Sequence, residues 1–421
     1  MTAYDFMYMA LLILLFPLLL WDKRLRRGFF YSLSRSFESR RRRDGRGSST
    51  VIVHSVSVGE VNAALPLVRA LEREGFDVLV STATERGFAT VIKSGLSPVS
   101  APLDFSFTVR SFLREYKPVA LILIELEMWP NLLFWAYSFG IPVVVVNGRI
   151  SSESFRNYIA FRSVVASILR RVSLVLCQNN LYVERFVALG ADKGKVFMGG
   201  NLKYDSSPRR VTEEERKKVR EELSVGDDEF LLIGGSTYLV EEKALLDVFV
   251  SLRGKAKMRL LLAPRQADHF DELCAEIVRR GLRYVRRSET KGEDVISEWD
   301  VYVVDTVGDL LYLYGGCDVS FVGGTLFEGK GGHSVIEPAA CGIPVIVGEH
   351  HENFKESVLL LAASGGLRVV KTEEELRGVI ERLMNDSEER KKRGESCAKA
   401  IDLNRGATER VVSYLKRMLE R

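Results

Sequence analysis

Residues Val301 to Gly348 read VYVVDTVGDLLYLYGGCDVSFVGGTLFEGKGGHSVIEPAACGIPVIVG. Two β-branched runs in it, Val301–Val304 and Val319–Val322, have the continuous apolar character of strands buried on both faces of a parallel sheet. The second runs directly into Gly323-Gly324, and a glycine-rich loop, Gly329 to Gly332, follows. His333-Ser334 then opens a short helical pattern that Gly342 ends, and Pro344–Val347 starts another strand. A strand, a glycine loop and a helix N-terminus in this order make a phosphate site, because glycines let backbone N–H groups approach and the helix dipole favours negative charge. Glu337 lies three residues after Ser334, the spacing of a capping box. The same spacing suits a carboxylate that faces the pocket and accepts hydrogen bonds from ribose hydroxyls, and it does not choose between the two.

Outward from this stretch, strand and helix patterns alternate along most of the chain. Val51–Val56, Asp77–Thr82, Ala120–Glu127, Pro142–Asn147, Leu174–Gln178 and Lys195–Met198 read as strands, with an amphipathic helix over Val61–Glu74. After a linker by composition, Ser206 to Arg210, Phe230–Ile233 and Met258–Ala263 resume the pattern. Alternation of this kind predicts doubly wound parallel sheets, whose ligands bind beyond the carboxyl ends of the strands. The chain has 421 residues, too many for one average domain, with 46% hydrophobic and 28% charged residues. Two globular domains are therefore expected. Beyond Lys371, Glu373–Met384 and Cys397–Leu419 read as amphipathic packing helices.

The net charge of +4 gives no argument for nucleic acid, but its distribution is uneven. Phe6 to Trp21 carries no charge, and Lys23, Arg24, Arg26, Arg27, Arg35 and Arg40–Arg43 follow. As a helix the uncharged run spans roughly 24 Å, short of the ~30 Å hydrocarbon core, and Pro17 interrupts it. A cleaved signal peptide places its basic residues first, whereas here Asp5 precedes and the basic residues follow. An uncleaved membrane anchor is expected, spanning obliquely or lying in one leaflet, with the positive flank keeping the rest of the chain cytoplasmic. The five cysteines are scattered without metal or redox spacing, and the histidines form no ligand pair. No metal site and no cofactor are expected.

Several strand ends carry chemistry. His54 to Glu60 (HSVSVGE) places Ser57, Gly59 and Glu60 where a strand turns into a helix; Ser57 and Glu60 have the spacing of a capping box. Thr82 to Gly87 (TATERG) puts Arg86 in a glycine turn, which by spacing alone reads as an exposed turn arginine. Glu125 to Asn131 (ELEMWPN) ends an apolar strand in two acidic residues, one per face, before a helix begun by Pro130. Asn147-Gly148-Arg149 and Gly200 to Asp205, containing Lys203, also close strands. In the second domain, Gly235-Ser236-Thr237 precedes Glu241-Glu242, with Thr237 a candidate helix cap. Pro264-Arg265-Gln266, Asp305 to Leu310 (DTVGDL) and Gly348 to Phe354 (GEHHENF) complete the set.

Taken together, these motifs resemble the 3-deoxy-D-manno-octulosonic acid (Kdo) transferases of lipid A assembly, GT-B glycosyltransferases, from the hydrophobic N-terminus to about Lys371. The resemblance implies two Rossmann-like domains facing across a cleft. Boundaries are expected at residues 1–27 (anchor), 28–49 (basic linker), 50–205 (acceptor domain), 206–400 (donor domain) and 401–421 (a helix crossing back). It implies an inverting transfer of Kdo from CMP-Kdo to a lipid A precursor at the cytoplasmic face of the inner membrane. Glu60 is then the base, kept ionised by the helix dipole, and Glu127 a second catalytic carboxylate. Ser57, Gly59, Arg86, Lys203, Ser236 and Thr237 are substrate-binding by the same token. Pro264, Arg265, Thr306, Gly308, Gly331, Gly332, His333, Ser334, Glu337 and Asn353 are nucleotide-binding. The chain departs from the family pattern with Gly148 for Ala, Gln266 for His, Asp309 for Glu and Ser334 for Asn. Two alternatives stand beside this reading: another GT-B enzyme using a UDP-sugar, as transferase or epimerase, or a non-catalytic nucleotide-sugar or lipid binder. A Rossmann dehydrogenase is disfavoured, since no strand is followed by G-x-G-x-x-G with an acidic residue about twenty positions on.

Overall fold

The computed structural model describes residues 2, 4–6, 8–10, 49–290 and 298–419. Most of the expected anchor, residues 11–21, and the basic linker to residue 48 lie outside the described residues. Among the described residues no helix is long and apolar enough to cross a membrane.

The chain divides into two compact units, residues 1–206 with 404–421 and residues 207–403. The first is built on β1 (Thr50–His54), β2 (Asp77–Thr82), β3 (Ser97–Ser100), β4 (Ala120–Ile124), β5 (Val143–Gly148), β6 (Leu174–Cys177) and β7 (Val196–Met198). These form one parallel sheet in the order β3-β2-β1-β4-β5-β6-β7, with the order reversing between β1 and β4. Strands β4 and β5 are buried along their whole length, which is why they stand out in the sequence as unbroken apolar runs. Two strands of this sheet end two or more residues earlier than the sequence suggests. β1 stops at His54 rather than Val56. β4 stops at Ile124, because Glu125 turns left-handed at φ 62°.

The expected single helix over Cys397–Leu419 is two helices, Ser387–Leu403 and Ala407–Leu419. The break comes at Gly406, whose φ of 88° favours glycine. The second of these helices belongs to the first unit. Ala407, Val411, Val412 and Leu415 join the core of the helix Val58–Arg73 and Leu202, and the Asp205 carboxylate accepts from Gly406 N at 2.7 Å and Thr408 N at 2.6 Å.

The second unit is built on β8 (Phe230–Thr237), β9 (Met258–Pro264), β10 (Tyr284–Arg286), β11 (Val301–Val303), β12 (Val319–Val322), β13 (Val345–Val347) and β14 (Leu367–Val369). Its parallel order is β10-β11-β9-β8-β12-β13-β14, reversing between β8 and β12. The residues following these two strands therefore flank the point where ligands enter such sheets. The turn after β13 is held tightly against the one after β12: Gly348 N donates to Thr325 Oγ1 at 2.8 Å. A Cβ on Gly348 would meet Thr325 O at 2.0 Å. Gly348→Ala is expected to destabilise the second unit by about 1–3 kcal/mol, as overpacking against backbone does. A denaturant midpoint unchanged from wild type would contradict this close approach.

Candidate functional site

In the first unit the relevant side chains gather past the carboxyl ends of β1, β4 and β5. His54, the last residue of β1, is buried, with Nδ1 3.1 Å from Ser81 Oγ. Burial lowers its pKa to about 4, so the ring is neutral at neutral pH. The Trp129 ring meets it edge-on at 4.6 Å, and Trp129 Nε1 donates to Glu127 Oε2 at 2.9 Å. Glu60 lies in the first turn of the helix Val58–Arg73. Its Oε2 accepts from Val56 N and its Oε1 from Ser57 Oγ, both at 2.8 Å, while Ser57 Oγ accepts from Glu60 N at 3.2 Å. Ser57 is thus the helix cap, and Gly59 is exposed in the first turn.

The helix dipole, expected to favour the ionised form of Glu60, is opposed by burial. Burial raises its pKa; the Ser57 and Val56 hydrogen bonds oppose this, and the negative charge of Glu125 adds to the rise. Glu127 is raised first by burial, against its Trp129 hydrogen bond, and then by the charges of Glu60 and Glu125. Three carboxylates therefore share one electrostatic field. Lys203 brings a positive charge to it, with Nζ 3.1 Å from Glu125 Oε1. Lys203 is brought there by Asn147, which sits at φ 60° near the end of β5 and accepts from Leu202 N at 3.1 Å through Oδ1. Arg86 is not in a glycine turn: it is exposed in the first turn of the helix Glu85–Lys93, which Thr84 caps. Among the described residues no hydrogen bond or ion pair joins it to Glu60, Glu125 or Glu127.

In the second unit the turns after β8 and β12 interlock. Strand β8 runs four residues further than Ile233, through Thr237, and the following helix Leu239–Leu252 is entered at Tyr238. Thr237 is fully buried and donates to Glu242 Oε1 at 2.8 Å. His269 Nε2 lies 3.2 Å from the other oxygen of Glu242. Thr237 is accordingly neither the helix cap nor open to a ligand. Ser236 beside it is half-buried at φ 56°.

Glu241 settles what fills the Gly323-Gly324 turn. Its carboxylate accepts from Gly324 N and Thr325 N at 2.8 Å, Leu326 N at 3.1 Å and Tyr238 N at 3.1 Å. The anion cradle expected directly after β12 is occupied by the protein's own side chain. The loop that remains for a ligand is Gly329 to His333. Gly331 and Gly332 take φ 73° and 80°. Asn353 braces them: its backbone N donates to Gly331 O and its Nδ2 to Lys330 O, both at 2.9 Å. Glu328 to Gly331, His350, Glu352 and Asn353 line a cavity of about 430 Å³.

His333 stacks on Tyr238 at 5.8 Å, and Lys330 Nζ lies 4.7 Å from the centre of the same ring. Burial, then the charges of Arg265 and Lys330, lower the His333 pKa to about 4. Arg265 itself is exposed just past β9, with its backbone N held by Thr237 O at 2.8 Å. Two cations, a neutral histidine and an aromatic face thus share one field, a set suited to a phosphate and a base.

The Ser334–Glu337 capping box is corrected: the helix is Ile336–Cys341 with Val335 at its cap. The Ser334 side chain instead hydrogen-bonds the Glu337 carboxyl, whose pKa burial nonetheless raises. Pro264 ends β9, and Thr306, three residues past the end of β11, donates through Oγ1 to Asp309 Oδ2, with Gly308 exposed at φ 100°. Tyr238 and Lys330 were not singled out from the sequence. Their position, one directly after Gly-Ser-Thr and the other between two glycines, is the signal that was there to use. Among the described residues no group of three or more His, Cys, Asp or Glu is arranged to hold a metal.

Comparison with known proteins places these motifs. The family described as 3-Deoxy-D-manno-octulosonic-acid transferase (kdotransferase) matches residues 24–206, and glycosyl transferases group 1 matches residues 298–400. The chain is 32% identical over 380 residues to the 3-deoxy-D-manno-octulosonic acid transferase of Haemophilus influenzae, covering 88% of this chain and 87% of that one. It is 32% identical over 382 residues to the same-named protein of Bordetella pertussis, with the same coverage of 88% and 87%. Among solved structures, UDP-GlcNAc 2-epimerase from Neisseria meningitidis bound to UDP-GlcNAc superposes with a TM-score of 0.61, covering 88% of this chain and 100% of that one. At 12% identity that likeness shows the fold alone, a two-unit α/β architecture consistent with GT-B.

Proposed function

Because the chain belongs to the 3-deoxy-D-manno-octulosonic acid (Kdo) transferase family of glycosyltransferases, we propose that it transfers Kdo from CMP-Kdo to a hydroxyl of a lipid A precursor. The reaction inverts the anomeric carbon. Glu60 takes the proton of the acceptor hydroxyl, the freed oxygen forms the new bond to the anomeric carbon, and the bond to CMP breaks with its electron pair leaving on the phosphate. The observation that carries this reading is Glu60: a half-buried carboxylate in the first turn of the helix that follows β1, with its pKa raised by burial and by neighbouring acid. Such a group is more basic than a solvated glutamate, as a general base requires.

On the donor side, the exposed Arg265 and Lys330 supply the charge that offsets the departing phosphate, and neutral His333 stays available to donate or accept a hydrogen bond. CMP leaves as a monophosphate, which needs less neutralisation than a diphosphate. The uncharged run Phe6–Trp21 and its basic flank support association with the cytoplasmic face of the inner membrane, where an acylated acceptor resides.

The reading is tested first by ligand-dependent melting. CMP at about 100 times its Kd is expected to stabilise the protein by about 2.7 kcal/mol, with UDP and NAD giving little at the same concentration. Stabilisation by UDP and not CMP would move the assignment to a UDP-sugar enzyme. Incubation with CMP-Kdo and a lipid A precursor, followed by mass spectrometry, then reads the product directly; no mass gain of a Kdo unit sinks the transfer.

A further inference from the structure

Two helices of the first unit, Ser106–Tyr116 and Pro130–Ser138, begin without a cap of their own. Phe105 and Trp129 stand at the cap positions, and neither offers a side-chain acceptor. The missing acceptors come from elsewhere in the chain. Asp104 accepts from Asn131 N at 3.0 Å and Leu132 N at 2.8 Å. Asp5, about a hundred residues upstream, accepts from Ser106 N at 2.8 Å and Ser106 Oγ at 2.5 Å. Asp5 is only 2% exposed.

Asn131 ties the two together. It is wholly buried, and its Nδ2 donates to Asp5 Oδ1 at 3.1 Å and to Asp104 O at 2.6 Å, while its Oδ1 accepts from Thr2 Oγ1. Thr2 N also donates to Asp5 Oδ2, at 2.6 Å. Tyr8 adds an edge-on contact to Phe105 at 6.1 Å and a hydrogen bond to Asp104. Two residues before Asn131 stands Trp129, the donor to Glu127 and the ring against His54.

We propose that Asp5 is a positioning residue for the carboxylate cluster of the first unit, acting through Asn131 and the first turn of the helix Pro130–Ser138 to hold Trp129 and Glu127. A buried carboxylate is retained only where its hydrogen bonds are made, and every bond Asp5 makes to the folded unit goes to a helix start. Loss of Asp5 leaves Ser106 N and one Asn131 donor without an acceptor, and the strain is relieved at the turn that carries Glu127. The segment ahead of the uncharged run thus takes part in building the site, in addition to any role in tethering. The catalytic part of this inference rests on the Kdo-transfer reading.

The experiment uses the full-length protein in detergent and the variants Asp5→Ala and Asp5→Asn. Amide hydrogen exchange is measured over residues 105–108 and 129–133, a readout that needs no reaction. Asp5→Ala is expected to lose protection in both segments, with wild-type affinity for CMP. Its kcat is expected to fall on the order of 10- to 100-fold, with KM for the donor unchanged, as small misplacements of a site do. In a double-mutant cycle, Glu127→Gln adds less to Asp5→Ala than it costs alone, because both act on the same group. Asp5→Asn retains one acceptor for Ser106 N and is expected to fall between the two; it carries the same readouts should Asp5→Ala fail to fold. Unchanged exchange in both segments overturns the positioning role whatever the enzyme's substrate proves to be. Lost protection with full turnover, or fully additive effects with Glu127→Gln, overturns the link to Glu127. A wild type that binds CMP but transfers nothing refutes the reading of function and leaves the exchange result to decide this one.

Discussion

Glu60→Gln is expected to lower kcat by about 10²–10⁴-fold, the usual contribution of a general base, while CMP affinity stays at the wild-type value. The two oxygens of Glu60 accept from Val56 N and Ser57 Oγ. Glutamine keeps the length and one acceptor, so the turn survives with one hydrogen bond impaired, at a cost of about 1 kcal/mol. A residue acting only as a partner of the helix cap would show that small stability change and near-normal turnover. The wild-type pH profile carries the complementary signature. Because burial raises the Glu60 pKa, the acidic limb of kcat/KM lies above the range of an ordinary glutamate: activity is lost as falling pH protonates the base, and is restored as rising pH frees it. That limb is expected to vanish or be replaced in Glu60→Gln. Near-normal kcat in the variant would pass the role to Glu127, whose pKa is raised by the same causes.

Glu241→Ala is expected to be the most destabilising single substitution in the second unit. The carboxylate accepts four backbone N–H groups, three of them in the turn that follows β12. An orphaned buried donor costs roughly 1–3 kcal/mol, so three give on the order of 3–9 kcal/mol before any relaxation or water entry. Since Gly332 N is in turn held by Gly324 O at 2.8 Å, collapse of that turn also displaces the loop from Gly329 to His333. CMP affinity should therefore fall together with the denaturant midpoint. Equilibrium unfolding and CMP titration on the same variant check both. A stable variant with full CMP affinity would mean that the turn holds itself and that Glu241 is incidental.

The sequence carried the central strands because these are buried on both faces, so their signal is local, while the edge strands β3, β10 and β14 gave none: Val319–Val322 was read to the residue, and Gly342 was read as a helix terminator whose φ of 86° requires it. It also carried the order of strand-end motifs that links the chain to its family. The element ends were harder where a local conformation overrides an apolar run, as at Glu125 and at Gly406.

The site divides along the same line. That Glu60, Glu127, Arg265 and the Gly331-Gly332 loop fall at strand ends follows from alternation alone. Which groups they face does not, since register and packing set every such contact. Lys203 belongs to Glu125 because Asn147, from another strand, holds its helix. Thr237 is sealed by Glu242, although a Gly-Ser-Thr turn looks open to a ligand. Glu241 reaches a turn more than eighty residues ahead, and Asp5 caps a helix about a hundred residues ahead. In the last two cases a carboxylate meets backbone N–H groups with no partner in their own helix or turn, which any nearby acceptor can satisfy. The sequence alone determined the two parallel sheets and the strand ends that bear the chemistry. The tertiary structure decided which acceptor fills each set of donors, because a hydrogen bond across a hundred residues depends on where the sheet places both partners.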